Sequence, residues 1–227
     1  MQGQKQESSL IGLTTIIGLF EELQLGRQKL LRAQVKELLT NFPAVVQKSR
    51  ALVAPQFNIV KMCGLGPDEV QHSFILAWLF NETASHGHGS KFFAAFASVI
   101  GLKLNDAAEG YSVYTEFHGF KSITDIVIYK ASDFYVSVEN KINAIEGHNQ
   151  LNREYYDLER YANSLNIPAD RRFAVFLTPD DRPPVTGDPK KWVTLSYAKI
   201  DAAFSAIPYK ESSQKLRCFV EDWIASI

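Results

Sequence analysis

Asp125, Glu139 and Lys141 are the residues of this chain whose types and spacing suit chemistry. They lie in Thr124 to Lys141, TDIVIYKASDFYVSVENK, where two runs rich in β-branched and aromatic residues, 126–129 and 134–138, flank Lys130-Ala131-Ser132-Asp133. That pattern predicts a strand, a turn and a second strand of one hairpin. Side chains alternate across a strand, so Glu139 and Lys141 share a face while Asn140 points the other way. Counting back from the turn brings Asp125 within a residue or two of the position opposite Glu139. Two carboxylates and a lysine then converge at one edge of a sheet.

Carboxylate oxygens are hard ligands suited to Mg²⁺ or Mn²⁺, which take one or two protein carboxylates together with waters and phosphate oxygens. Such a cation polarises a phosphodiester and activates water, and an adjacent lysine can orient that water and stabilise developing charge. Phosphodiester hydrolysis is the reaction class this points to. The competing reading is an ion pair at a strand end, which is common and contributes little. The triplet alone favours that second reading.

The elements that must position these residues follow from periodicity. Gly64-Leu65-Gly66-Pro67-Asp68 is a turn with helix-start chemistry, and Glu69 suits the positive end of a helix dipole. A helix is predicted from Glu69 to about Asn81, apolar over most of its circumference through Phe74, Ile75, Leu76, Leu79 and Phe80. Residues 91–100 predict another, with Phe92, Phe93, Phe96 and Val99 as packing residues. Residues 111–117 read as the first strand. Beyond a polar loop, 149–165 predicts a helix whose inner stripe is Leu151, Tyr155, Leu158, Ala162 and Leu165. The apolar run 172–178 reads as a strand after a crossover, 192–195 as a last short strand, and 197–206 and 211–226 as helices. The fold class expected is α/β, a central mixed sheet flanked by helices.

Ahead of it, residues 10–39 repeat apolar residues at three and four, predicting one or two amphipathic helices broken near Gly26. This gives a helical N-terminal segment, 1–62, as an arm or cap, and a domain over 63–227. The apolar run 10–20 is interrupted and too short to span a bilayer, and it lacks a signal-peptide pattern, so a cytoplasmic protein is expected. Hydrophobic content is 46%, charged content 22% and net charge −1. Those values exclude a disordered chain and a globally basic nucleic-acid binder, so any nucleic-acid surface must be local. Cys63 and Cys218 fit no zinc spacing and read as free thiols. No phosphate-binding GxxxxGK[ST] loop occurs.

The order Asp125, then Glu139-Asn140-Lys141, then a helix opening at Gln150 resembles the PD-(D/E)xK nuclease superfamily. The strings VENKINA (138–144) and NQLNREYY (149–156) are closest to a bacterial and phage branch reading IENKI and QL followed by Tyr-Tyr. EVQHSFILAWLF (69–80), SHGHG (85–89), Thr115-Glu116 and LTPDDRPP (177–184) extend the resemblance in order over roughly 65–200. Two departures stand out: Thr124 occupies the place of the superfamily's proline, and Lys121-Ser122-Ile123-Thr124 replaces an arginine common before the Asp strand.

The resemblance implies a restriction-endonuclease-like core and a Mg²⁺- or Mn²⁺-dependent nuclease acting on nucleic acid, DNA ahead of RNA, in phage defence or phage biology. It implies Asp125 and Glu139 as metal ligands with the Asn140 backbone carbonyl, Lys141 at the attacking water, and Gln150 beside them. Glu69 and Glu116 match further acids of the metal site; their alternatives are a helix-start acid and an exposed strand residue. His86 and His88 are candidates to grip metal or phosphate. Lys121, Lys130, Arg153, Arg160, Arg171 and Arg172 are candidate phosphate contacts, although Arg153 and Arg160 share a helix face with Asp157 and could instead pair with it. Two other classes are a non-catalytic nucleic-acid-binding module and an assembly subunit that acts with a partner. The N-terminal helices are the candidate interface for a homodimer or protein partner.

Overall fold

The computed structural model describes residues 22–27, 29–33, 35–36, 57–66, 68–104, 109–209 and 213–227. At its centre is the predicted hairpin. Strands β2 (Ile123–Lys130) and β3 (Phe134–Asn140) pair antiparallel, with Ile126 opposite Val138 and Lys130 opposite Phe134. The turn closes through Ser132 in the left-handed region, φ 59°, a conformation that short polar residues tolerate in turns.

Strand β1 (Ser112–His118) pairs antiparallel on the outer side of β2, while β4 (Arg172–Thr178) and β5 (Trp192–Ser196) run parallel to β3. The sheet order is β1-β2-β3-β4-β5, a mixed five-stranded sheet. All seven residues of β3 are buried, its apolar residues in the cores and Ser137, Glu139 and Asn140 as enclosed polar groups.

Alternation divides the strands between two cores. Ile126 and Ile128 of β2, Val136 and Val138 of β3, and Val175 and Leu177 of β4 face one side. There they pack with α1 (Ile59–Met62), α2 (Glu69–Phe80), α3 (Lys91–Val99), α5 (Tyr197–Ser205) and α6 (Gln214–Ile224). Val127, Tyr135, Ala174 and Phe176 face the other side, against α4 (Gln150–Ser164) through Leu151, Leu158 and Ala162. The expected α/β class, a mixed sheet flanked by helices, is therefore present.

Several local expectations change. In α2, Phe74 and Val70 are exposed at 43% and 41%, so that helix is buried on one side only. Helix α2 starts because the Asp68 side chain accepts the Gln71 N–H, leaving Glu69 free for another use. Tyr155 and Leu165 of the expected α4 stripe are half-buried, and Glu154 and Asp157 are buried instead.

Backbone contacts separate residues 1–56 from 57–227 as two units. In the first, 22–27, 29–33 and 35–36 are helical and Leu23, Leu25, Leu30, Leu31 and Val35 are exposed. The helix passes through Gly26, where a break was expected, because helical backbone tolerates an isolated glycine at a modest cost. The start of the predicted amphipathic segment, 10–21, and its end, 37–39, lie outside the described residues.

Candidate active site

The face of the sheet that meets α4 carries Asp125 on β2, then Glu139 and Lys141 along β3 and just beyond it. Extending the pairing of Ile126 with Val138 by one residue sets Asp125 opposite Glu139. The Asn140 N–H donates to Asp125 Oδ2 at 2.8 Å, so the ladder itself orients the first carboxylate. Lys141 Nζ lies 2.6 Å from Glu139 Oε1, and the Gln150 amide donates to the same oxygen at 2.5 Å. Gln150 is held from its other side, its Oε1 accepting the Gly147 N–H at 2.8 Å. Asp125, Glu139, Lys141 and Gln150 are thus brought together.

The other three candidates stand differently. Asn140 points to the opposite face, where its Nδ2 donates to Ser73 Oγ and the Glu69 carbonyl and its Oδ1 accepts the Tyr197 hydroxyl at 2.8 Å. Its side chain is fully occupied. Glu69 Oε1 accepts three consecutive backbone N–H groups, of Ile142, Asn143 and Ala144, at 2.9, 2.8 and 2.7 Å, while Oε2 is 3.8 Å from Lys141 Nζ. Glu69 therefore latches the chain immediately after the lysine. Glu116 is exposed and left-handed, φ 47°, and falls opposite Asp125 in the β1–β2 register, where its charge acts on that carboxyl.

Electrostatics reinforce the grouping. Burial pushes the Asp125 carboxyl up, against the pull of the Asn140 N–H and Lys141. Burial and then Asp125 raise Glu139 to about 7. Burial works against the Lys141 ammonium, but Glu139 and Asp125 outweigh it and hold its pKa above the usual lysine value. Burial also works against Glu69, yet the N–H groups of Ala144 and Asn143 and the Lys141 charge keep it low.

Helix α4 adds residues that periodicity alone did not single out. Glu154, one turn beyond Gln150, is 1% exposed and lies against Glu139 and Gln150. Among the described residues no N–H is placed to donate to either of its oxygens or to Glu139 Oε2, so the hydrogen bond between the two carboxyls needs a proton on one of them. Burial and then the Glu139 charge raise the Glu154 pKa to about 10. Ser137 Oγ and Thr178 Oγ1, on the same sheet face by alternation, are also buried without partners. Asp157, 3% exposed, accepts the backbone N–H groups of Lys121 and Ser122 at 2.9 Å and the Ser122 hydroxyl at 2.7 Å.

A divalent cation fits this donor set. Mg²⁺ asks for one or two carboxylates, and Asp125 and Glu139 supply two that burial still pushes up with Lys141 beside them, so a further positive charge is favourable there. No N–H among the described residues reaches the buried Glu139 Oε2, and the Glu139 carboxyl meets Glu154 through a hydrogen bond only when one of the two holds a proton, so a cation satisfies an acceptor that is otherwise dependent on that proton. Among the described residues no cluster of three His, Cys, Asp or Glu side chains forms a metal cage. His86 is outside this chemistry: its Nε2 meets the Asn81 carbonyl at 3.0 Å and its Nδ1 accepts the His88 N–H at 3.1 Å, which uses both nitrogens. His72 is likewise structural, accepting the Trp223 indole N–H at 2.8 Å and meeting the Gly66 carbonyl at 2.9 Å.

A family model described as the PD-(D/E)XK nuclease superfamily matches residues 57–223. The chain belongs to the PD-(D/E)XK nuclease superfamily. No curated protein and no solved structure matches it. The superfamily match spans all five strands of the sheet and, among the described residues, the helices from α1 into α6, so membership and fold agree.

Within this PD-(D/E)XK core the candidate arginines separate into two pairs. Arg171 is ion-paired with Asp133, and Arg172 with Glu159 at 2.7 Å, so both brace the fold. Arg153 and Arg160 do not pair with Asp157, because that carboxylate turns inward to the 121–122 backbone. Arg153 donates to the His148 carbonyl, and Arg160 lies over the Phe120 ring at 3.9 Å. Lys130 donates to the Glu109 carbonyl, away from the site.

Proposed function

We propose that this chain hydrolyses phosphodiester bonds in nucleic acid, DNA before RNA, using Mg²⁺ or Mn²⁺ held by Asp125 and Glu139 with the Asn140 backbone carbonyl. The observation that carries the reading is the convergence of Asp125, Glu139, Lys141 and Gln150 on one sheet face, with both carboxyls pushed up by burial. When bound, the cation supplies Lewis-acid polarisation of the phosphate and activation of water.

The chain's own residues do the rest. The Asn140 N–H and the Gln150 amide hold the two carboxylates in place before the cation arrives, so little reorganisation accompanies binding. Lys141, kept as an ammonium by its carboxylate neighbours, donates hydrogen bonds to the attacking water and to developing negative charge; it does not act as a base in that form. Glu154, the more strongly raised of the two neighbouring carboxyls, keeps its proton when Glu139 gives up its own. Glu69 fixes residues 142–144 and with them the position of Lys141.

The exposed Leu23, Leu25, Leu30, Leu31 and Val35 support the N-terminal segment as an arm for a second copy or a partner. A part in phage defence or phage biology rests on the motif resemblance alone. The test is incubation of the protein with supercoiled plasmid, linear duplex, single-stranded DNA and RNA, in Mg²⁺, Mn²⁺ or EDTA, beside Asp125→Ala and Lys141→Ala. Metal-dependent cleavage that disappears in both variants supports the reading. Folded protein that cuts none of these at high concentration overturns it.

A further inference from the structure

One ridge of α4 starts beside the candidate active site and carries cations that make no ion pair among the described residues. Arg153, Tyr156 and Arg160 repeat at three and four, so they form a row along the helix, beginning less than one turn past Gln150. From Arg153 to Arg160 that row advances about 10 Å at the α-helical rise. The β1–β2 turn lies along it. Lys121 Nζ stands 3.6 Å above the Tyr156 ring, and the Arg160 guanidinium lies over Phe120, which also packs on Tyr161 with centroids 5.0 Å apart.

Three features distinguish this from ordinary surface packing. First, among the described residues none of Lys121, Arg153 and Arg160 takes part in an ion pair, although the chain as a whole carries net charge −1. Second, the turn is built rather than loose. Buried Asp157 accepts the 121 and 122 N–H groups, and a Cβ at Gly119 would sit 2.2 Å from Asp157 Oδ2, so only glycine fits there. Third, this rigid turn holds Phe120 out at 55% exposure, and Tyr156 is 39% exposed beside it. An arrangement that spends a buried carboxylate to present an aromatic ring and a lysine to solvent has the character of a recognition surface.

We propose that Phe120, Lys121, Arg153, Tyr156 and Arg160 form a binding track for single-stranded nucleic acid leading to Asp125 and Glu139. Cations spaced along a ridge meet successive phosphates, and exposed rings stack unpaired bases, the combination that single-strand binders use. Lys121 is four residues upstream of Asp125 on the chain that enters β2, and Arg153 follows Gln150 by three residues, so the track is joined at both of its elements to residues of the candidate site. This rests on the nuclease reading above and adds to it the form of substrate.

The test is fluorescence-anisotropy binding in EDTA of labelled single-stranded and duplex oligonucleotides of equal length, at several salt concentrations. It compares the full chain with Phe120→Ala, Phe120→Trp, the pair Lys121→Ala and Arg160→Ala, and Lys215→Ala on α6 as a remote control. Phe120→Ala is expected to weaken single-strand binding about tenfold and Phe120→Trp to restore it. The double charge variant is expected to reduce the salt slope by roughly 1.4, about 0.7 for each cation removed. Lys215→Ala should bind as the parent does. Melting temperatures within the parent's range keep misfolding out of the comparison.

If these variants bind single strands as the parent does while the parent cleaves nucleic acid, the track is wrong and the nuclease reading stands. Equal losses for duplex and single strand overturn the single-strand assignment. A parent that binds and cuts nothing overturns both.

Discussion

Glu154 and Glu139 lie against one another between α4 and β3, each about 1% exposed, and the hydrogen bond between them needs a proton on one of the two carboxyls. Both carboxyls are pushed up, first by burial and then by other carboxylates, so in the absence of a cation the pair retains a proton at neutral pH. Folded pKa values above the ordinary 4.5 mean that the native state binds more protons than the unfolded chain. Stability without metal should therefore fall as pH rises through the window from 4.5 towards 7 and above, by on the order of 1 kcal/mol per pH unit. Glu154→Gln keeps the shape, supplies an N–H donor to Glu139 and removes one titrating group. Its melting temperature in EDTA should exceed the parent's at pH 8 and match it near pH 5; a variant less stable at pH 8 would show that Glu154 is held by something else.

Glu69 serves the loop before it serves any metal. Its Oε1 accepts the N–H groups of 142, 143 and 144, a task that a neutral amide oxygen also performs. Glu69→Gln should therefore retain the parent's melting temperature to within a few degrees. Glu69→Ala leaves three donors in a partly buried loop and should cost roughly 1–3 kcal/mol. The check is thermal unfolding of both variants together with their Mg²⁺ affinity by calorimetry. A large loss of affinity in Glu69→Gln with unchanged stability would make Glu69 a ligand rather than a latch.

Gly119 and Asp157 form a second such relationship. A methyl at 119 meets Asp157 Oδ2 at 2.2 Å, so Gly119→Ala must displace either the turn or the carboxylate and should cost roughly 1–3 kcal/mol. Asp157→Ala removes four hydrogen bonds to the turn, from the Lys121 and Ser122 backbone and the Ser122 hydroxyl, and should cost a similar amount. Because both changes release the same turn, the double variant should cost less than the two single losses added together. Denaturant unfolding of the four proteins measures this, and strict additivity would deny the coupling.

The hairpin and its register were legible because β-branched and aromatic runs flank a polar turn, and alternation then dictates that 125, 139 and 141 share a face while 140 does not. Glu154 was not legible. In the α4 stripe both 154 and 155 fall on the inner side after Leu151, and apolar periodicity selects Tyr155, whereas the structure buries Glu154 and leaves Tyr155 half-exposed. A pattern built on hydrophobicity passes over a buried acid, and only its spacing of four from Gln150 hinted at it. Asp157 was misread for the same reason: an acid three and four residues from arginines resembles a surface pair until the 118–122 turn is seen docked against it. The double use of Glu69 was equally hidden, since nothing local to α2 shows that the chain 73 to 75 residues later will present three N–H groups to it.

Cation binding should couple to the same buried carboxylates. Asp125 and Glu139 are both pushed up by burial, so a divalent cation that takes them as anions must displace whatever proton they hold. Affinity for Mg²⁺ or Mn²⁺ should then strengthen from pH 6 to pH 8, opposite in sign to the pH trend of metal-free stability. Melting temperature should rise with added cation at pH 8 and much less at pH 6, by mass action on the folded state. Glu139→Gln and Asp125→Asn should abolish that rise. Lys141→Met removes the buried ammonium that stands 2.6 Å from Glu139 and should preserve or increase cation affinity while eliminating cleavage. Calorimetric titration of each variant at the two pH values, with proton release read from buffers of different ionisation enthalpy, tests all of these together. Binding that is independent of pH, or a thermal rise that persists in Glu139→Gln, would place the cation elsewhere.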